Sequence, residues 1–352
     1  MTQGRNRLLI VLIAGIGDLV MASASLRALR NGHADAEIHL VTSSEACTLA
    51  ENYPYIDRVW SFPVREIRKD KLQGLRSINV IREMRKARFD LCLNLYRVTS
   101  WLGALRMGLL ISLISPRSKA GHDSNGFGIF LDKKAPRGTF ENRHFKDAMM
   151  ELAKLAGGVP DDAGIEIFWD KNVEGKWANL FPMEKQKNKP LWIGINPGAD
   201  RLQKRWSPEN HAAVADRLSE VLEVKIFVFG GPGEEHLARH IEKAMKHPVV
   251  NLAGKLSLNE LAYVISRLDL FVTNDSGPMH IAAAVKTPVV ALFGPENPVY
   301  TRPYTTPDLY RIVQKELRCR PCMNKRCDRP VCMESLKPED VLQACSELLG
   351  RL

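Results

Sequence analysis

Long hydrophobic runs are missing from this sequence. No apolar stretch approaches the roughly 20 residues needed to cross a bilayer. The nearest to a signal core is the segment 8–14 (LLIVLIA). Gly15, Gly17 and Asp18 follow it and no small-residue cleavage site appears, so a first β-strand and a cytoplasmic protein are expected. No G-x-x-x-x-G-K-[ST] occurs, which argues against a P-loop NTPase. The glycine turn Gly15–Gly17 lacks the third glycine of a dinucleotide fingerprint, Val20 standing there instead. Low-complexity tracts and short repeats are absent too. Acidic residues are scarce in one region: residues 58–119 hold 14 Lys/Arg and 4 Asp/Glu, an excess equal to the whole chain's net charge of +10. Such a concentration suggests an anionic partner or a solvated helix face. The seven cysteines are not expected to form a disulfide framework without an export signal. Cys47, Cys92 and Cys345 fall in periodic apolar segments and read as buried small hydrophobes.

What is present is an alternation of strand-like and helix-like segments. The 352 residues suit two domains, with the 45% apolar and 26% charged content of a soluble globular protein. Strands are expected at 8–14, 37–43, 58–62, 89–95 and 118–123, separated by helices, with an irregular basic loop before a helix at 141–157. The segment 100–115 carries a single charge, Arg106, and reads as a buried or a membrane-skimming helix, the buried form being favoured. A composition change near 172–190 marks the domain boundary. Strands then recur at 191–196, 225–230, 249–252, 270–272, 288–293 and 309–313, and an amphipathic helix closes the chain. The fold class is therefore α/β, with two doubly wound parallel-sheet domains. The domains are taken as 1–172, a linker at 173–190, 191–337 with a Cys-rich segment at 319–332, and a terminal helix at 338–352.

Four constellations could carry chemistry. Asp18 follows the glycine turn at the first helix's N-terminus, whose dipole keeps a carboxylate ionised; it reads as a general base or as a plain helix-cap acid. Asn196-Pro197-Gly198 follows strand 191–196. There Gly198 admits a close ligand, while Lys204 and Arg205 bring charge that could meet a pyrophosphate or simply be solvated. Glu234, after Gly230–Gly233, reads as a ribose partner or a helix cap. The stretch Asp269–Pro298 is a strand–loop–helix–strand unit. Its loop gathers Asn274, Asp275, Ser276, Gly277 and His280, with free amides at a helix start that suit a phosphate. Separately, Cys319-x2-Cys322-x4-Cys327-x4-Cys332 has zinc-knuckle spacing, without the knuckle's aromatic and glycine, amid Arg318, Arg320, Lys325, Arg326 and Arg329. Zinc or iron binding, redox-labile thiols and unligated cysteines all remain open.

Together these residues resemble glycosyltransferase family 9, the ADP-heptose–lipopolysaccharide heptosyltransferases, along most of the chain. The similarity is carried by Gly17-Asp18-Leu19-Val20 with Ser25-Leu26-Arg27-Ala28-Leu29, by Asn196-Pro197-Gly198-Ala199 with Lys204–Glu209, and above all by Asn274–Ala284. The resemblance implies a GT-B architecture of two Rossmann-like domains facing a central cleft, the last helix returning to the first domain. It also implies metal-independent inverting transfer of heptose from ADP-heptose to the lipopolysaccharide inner core, the acceptor being lipid A–Kdo or a heptosylated core. Asp18 would then be the base. Lys204 and the Ser276 and Gly277 amides would stabilise the diphosphate, Gly198 would belong to the donor-binding loop, Asp275 would contact the heptose and Glu234 the ribose. Leu256 and Ser257 would lie beside the adenine, and His280 would brace the loop. The donor loop departs from the family in carrying Asp200-Arg201-Leu202-Gln203 where hydroxyl residues are frequent.

The basic region gains a rationale from the same resemblance. Arg82, Arg85, Lys86 and Arg88 would face a polyanionic acceptor and hold the enzyme at the cytoplasmic face of the inner membrane. No cofactor is expected in catalysis, with structural zinc or iron at the cysteines the one candidate, and no nucleic acid is expected. The competing readings are a nucleotide-sugar epimerase of the same fold, a family member using another nucleotide sugar or a protein acceptor, and a basic nucleic-acid-binding protein with a four-cysteine metal knuckle.

Overall fold

The computed structural model describes residues 5–63, 71–124, 126–136, 138–182, 190–319, 322 and 327–350. The chain divides into two compact units, Met1–Gly164 and Ile165–Leu352.

The first unit runs β1 (Arg7–Leu12), α1 (Ile16–Gly32), β2 (Glu37–Ser43), α2 (Ser44–Ala50), β3 (Arg58–Phe62), α3 (Lys71–Ala87), β4 (Leu91–Asn94), α4 (Trp101–Ile114), β5 (Ser118–His122), β6 (Lys133–Ala135) and α5 (Phe145–Leu155). Its sheet has the order β3-β2-β1-β4-β5-β6, with every ladder parallel. Parallel strands need covering on both faces, so they read as unbroken apolar runs rather than alternating ones. Accordingly Leu9, Ile10 and Val11 are wholly buried. Arg27 of α1 ties the end of this unit down: its guanidinium donates to both carboxylate oxygens of Asp161, at 2.7 and 2.6 Å, and to the Gly164 carbonyl.

The second unit contains α6 (Asn172–Trp177), β7 (Leu191–Asn196), α7 (Pro208–Val221), β8 (Val224–Val228), α8 (Glu235–Ala244), β9 (Val249–Asn251), α9 (Leu258–Ser266), β10 (Leu270–Asn274), α10 (Gly277–Ala284), β11 (Val289–Leu292), α11 (Pro298–Thr301), β12 (Tyr310–Val313), α12 (Val331–Glu334) and α13 (Pro338–Leu349). Its order, β12-β11-β10-β7-β8-β9, repeats that of the first unit strand for strand, again all parallel. In each sheet the winding reverses beside the first strand, between β1 and β4 and between β7 and β10. The carboxyl ends of those pairs are where such a sheet leaves a crevice. The loops there begin at Ile13 and Leu95 in one unit, and at Pro197 and Asp275 in the other.

The structure departs from the expectations in several places. The division falls at Gly164, not at 172, because the following segment docks on the second unit. Trp177 donates to Glu260 at 3.0 Å, and Tyr263 donates to the carbonyl of the fully buried Phe181 at 2.8 Å. Residues 183–189, within the foreseen linker, lie outside the described residues. The final helix buries its apolar face in its own unit. Val341 and Cys345 of α13 are wholly buried in the second unit's own core, against α7 and strands β10–β12. Finally, α4 is buried on one face only. Ala104, Met107, Leu110, Ile111 and Ile114 join the core, while Trp101, Leu102, Leu105, Leu109 and Leu113 are exposed. Of the three cysteines expected in the core, Cys92 and Cys345 are buried and Cys47 only partly, its thiol donating to Glu51. The short strand β6 falls in the stretch read as an irregular loop.

Candidate functional site

The crevice between β7 and β10 is built by two asparagines at the ends of those strands. Asn196 donates to Thr273 Oγ1 at 3.1 Å and Ser276 Oγ at 3.2 Å. Asn274 donates to the Pro197 carbonyl at 2.8 Å and accepts from the Trp206 amide at 3.2 Å. Each strand's loop is thus held by the other strand's terminal amide. Trp206 anchors the far end of the loop: its ring is almost fully buried and its indole N–H donates to the Leu336 carbonyl at 3.0 Å.

Within this frame the turn Leu202–Lys204 delivers Lys204 Nζ to 2.9 Å from Asp275 Oδ2, their side chains 14% and 4% exposed. Burial pulls the Lys204 pKa down, but the charges of Asp275, Glu296 and Asp200 outweigh it, so the ammonium is held more firmly than usual. Burial of Asp275 acts the other way on its carboxyl and raises it, against the pull of Lys204. Glu296 stands 3.7 Å from Lys204 and accepts from Arg201 at 2.6 Å. A buried cation flanked by carboxylates is a costly arrangement for structure alone, and it lies at the strand ends where an anionic ligand is expected.

The start of α10 adds a second source of positive potential. Ser276 gives no side-chain cap, its hydroxyl being engaged by Asn196 instead, so the helix's first turn and its dipole remain directed at the crevice end. His280 is buried within that helix, one turn in. Gly198 and Glu234 meet directly: a Cβ on Gly198 would stand 2.2 Å from Glu234 Oε2. The Glu234 carboxylate does not cap α8; it accepts from the Gly231 amide at 2.9 Å and from Arg205 at 3.2 Å. Ser257 does cap its helix, in a reciprocal box with Glu260 at the start of α9, and Leu256 beside it is half-buried.

In the first unit, Asp18 sits at the third position of α1, half-buried, and Oδ2 accepts from the Gly15 amide at 3.3 Å. The helix-cap reading of this residue is therefore realised, and the bond also orients the carboxylate at the carboxyl end of β1. Arg82, Arg85, Lys86 and Arg88 are all exposed on or just after α3, with Lys86 paired to Glu83. Cys319, Cys322, Cys327 and Cys332 line one small pocket with Gln203, Pro295 and Arg329. Among the described residues, no three His, Cys, Asp or Glu side chains converge to hold a metal ion. Arg320, Lys325 and Arg326 lie outside the described residues.

The structure thus gathers Gly198, Lys204, Glu234, Asp275, Ser276 and Gly277 about the β7 and β10 loops. Sequence reasoning missed Glu296 and Arg201 as members of the buried charge cluster. The signal was there: Gly294-Pro295-Glu296 follows a buried strand just as the other site loops do.

The sequence matches the family described as glycosyltransferase family 9 (heptosyltransferase) over residues 78–332. It is 28% identical to lipooligosaccharide heptosyltransferase 2 of Campylobacter jejuni over 95% of both chains. The glycosyltransferase family 9 structure from Veillonella parvula superposes with a TM-score of 0.79, at 23% identity and 99% coverage of each chain. An Escherichia coli heptosyltransferase solved with ADP-2-deoxy-2-fluoro heptose gives 0.73, at 17% identity over 97% of this chain and 99% of that one. The paired parallel sheets are those of the GT-B fold. By sequence and by fold, this chain belongs to glycosyltransferase family 9, the heptosyltransferases.

Proposed function

We propose that this enzyme transfers a heptose from ADP-heptose to the inner core of lipopolysaccharide, with inversion at the anomeric carbon. The observation that carries the reading is the buried Lys204–Asp275 pair beside the uncapped start of α10, in a chain of this family. As the glycosidic bond to ADP breaks, negative charge grows on the diphosphate, and Lys204 with the Ser276 and Gly277 amides takes it up. Asp275 accepts a sugar hydroxyl, and Glu234, already oriented by Arg205 and Gly231, accepts from the ribose. Leu256 and Ser257 lie beside the adenine in this reading.

On the acceptor side, the Asp18 carboxylate, oriented by the Gly15 amide, removes the proton from the attacking hydroxyl as its oxygen bonds to the anomeric carbon. The exposed Arg82, Arg85, Lys86 and Arg88 suit a polyanionic acceptor presented at the cytoplasmic face of the inner membrane, to which the enzyme would bind peripherally. No helix among the described residues is long and apolar enough to cross a membrane. No step is routed through a metal ion. Cys319, Cys322, Cys327 and Cys332 share one pocket without converging as a metal-ligand set, and the metal content of the purified chain and of Cys319→Ser tests whether they take up a structural zinc or iron.

The deciding experiment pairs ligand binding with transfer. ADP at about 100 times its dissociation constant should stabilise the fold by roughly 2.7 kcal/mol, and UDP or GDP should not. With ADP-heptose and a core acceptor, Asp18→Asn should lower kcat by roughly 100- to 10,000-fold while the ADP shift persists. Full activity in Asp18→Asn would remove the base from this mechanism. Turnover of donor without acceptor would favour an epimerase instead.

A further inference from the structure

The outer face of α4 has no use in the chemistry above, and it is unusual. Trp101, Leu102, Leu105, Leu109 and Leu113 are 63, 54, 69, 58 and 41% exposed. They form one continuous band, since residues four apart on a helix advance only about 40° around its axis. The opposite face is locked into the core by Met107, Leu110, Ile111 and Ile114, so the band is held rigidly outward. The loop beside it adds Ile129, 70% exposed, whose neighbour Phe130 packs on Gly108 of α4. An exposed apolar surface of this kind marks an interaction site.

The charges around the band identify its partner. The only charged residue on α4 is Arg106, exposed at the edge of the apolar band. The helix packed beside it, α3, exposes Arg82, Arg85 and Lys86, and Arg117 is exposed just beyond the end of α4. An apolar face bordered by cations fits the boundary between acyl chains and anionic headgroups. A two-fold pairing of two copies through the same face would instead bring two surfaces of the same net positive charge together, which is unfavourable. At 14 residues the helix is about 21 Å long, too short to span, so it would lie in the interface.

We infer that α4 is a membrane-docking element, its band Trp101–Leu113 entering the headgroup region of an anionic bilayer while the flanking arginines and lysine engage lipid phosphates. The inference deepens the peripheral-membrane part of the proposed function by assigning it to apolar insertion at α4 rather than to the basic face alone.

The test is vesicle flotation of the full chain, without sugar nucleotide, on phosphatidylcholine with and without about one third phosphatidylglycerol. Binding to the anionic vesicles is expected. Its loss on pure phosphatidylcholine should be at least roughly fivefold for each cation engaged. Leu105→Ser with Leu109→Ser should weaken binding to anionic vesicles roughly 100-fold, about tenfold for each leucine withdrawn from the interface. The same double variant should keep its far-ultraviolet spectrum and its transfer to a delipidated core acceptor, which reads catalysis separately from docking. Unchanged vesicle binding in the double variant would overturn the inference. So would absence of binding by the parent chain, or a dimer in light scattering that the two substitutions dissociate.

Discussion

Removing Lys204 should expose the energetics of the buried pair, and pH should control how much is lost. In Lys204→Met the side-chain volume is nearly kept, but Asp275 is left 4% exposed without the cation 2.9 Å away. The lost attraction is about 6 kcal/mol at an effective dielectric of about 20. The carboxyl can limit that loss by taking up a proton, which from an unfolded-state pKa of 3.8 costs about 4 kcal/mol at pH 7. At pH 5 the same proton costs less than about 2 kcal/mol. The expected loss of unfolding free energy is therefore about 4 kcal/mol at pH 7 and under half of that at pH 5. Adding Asp275→Asn to Lys204→Met should restore most of it, because no buried charge then lacks its partner. Urea denaturation of the parent and the two variants at both pH values measures this directly. A loss below about 1 kcal/mol at pH 7, or an equal loss at pH 5, would refute the view of these groups as a desolvated ion pair.

Further outcomes follow from other contacts. Gly198→Ala drives a methyl group against the Glu234 carboxylate, breaking its bonds to Gly231 and Arg205. ADP affinity should fall at least roughly tenfold while stability changes by less than about 2 kcal/mol, read by calorimetry and by thermal melting. His211 is wholly buried and its pKa is pushed down to about 3, so it must fold neutral. Stability is then complete above about pH 6.5 and declines by up to about 1.4 kcal/mol per pH unit as acid approaches pH 3, a slope that His211→Phe should flatten. Glu260 is lowered to about 2, where bonds from Lys176, Ser257 and Trp177 outweigh its burial. Its contribution is present above about pH 4.5 and lost as pH falls toward 2, so Glu260→Gln should cost stability at pH 7 and little near pH 2. Trp206→Phe removes the indole bond to Leu336 and should cost about 1–3 kcal/mol, with loosened ADP binding because the Lys204 loop loses its anchor.

The α/β class was legible in the sequence because parallel strands buried on both faces need apolar runs, as in LLIVL of β1 and LFV of β10. The strand-to-helix turns were legible for a similar reason: glycine, asparagine and a capping acid or serine cluster where the chain must leave a strand and start a helix. That placed Asp18, Gly198, Glu234 and Asp275 at strand ends. The family motif added their grouping. Only tertiary structure could decide which of these touch. Lys204 and Asp275 are 71 residues apart, and the contact depends on β7 and β10 being neighbours across the reversal of winding. Glu296 and Arg201 joined the cluster for the same reason, since β11 lies next to β10. Likewise the composition of α4 announced a helix of nearly uniform hydrophobicity, which has no preferred face in sequence. Which residues became core and which stayed in solvent was settled by where the sheet and α3 lie against it. The terminal helix teaches the same lesson: its amphipathic pattern required a partner, and the fold supplied one where α7 and strands β10–β12 present apolar side chains to it.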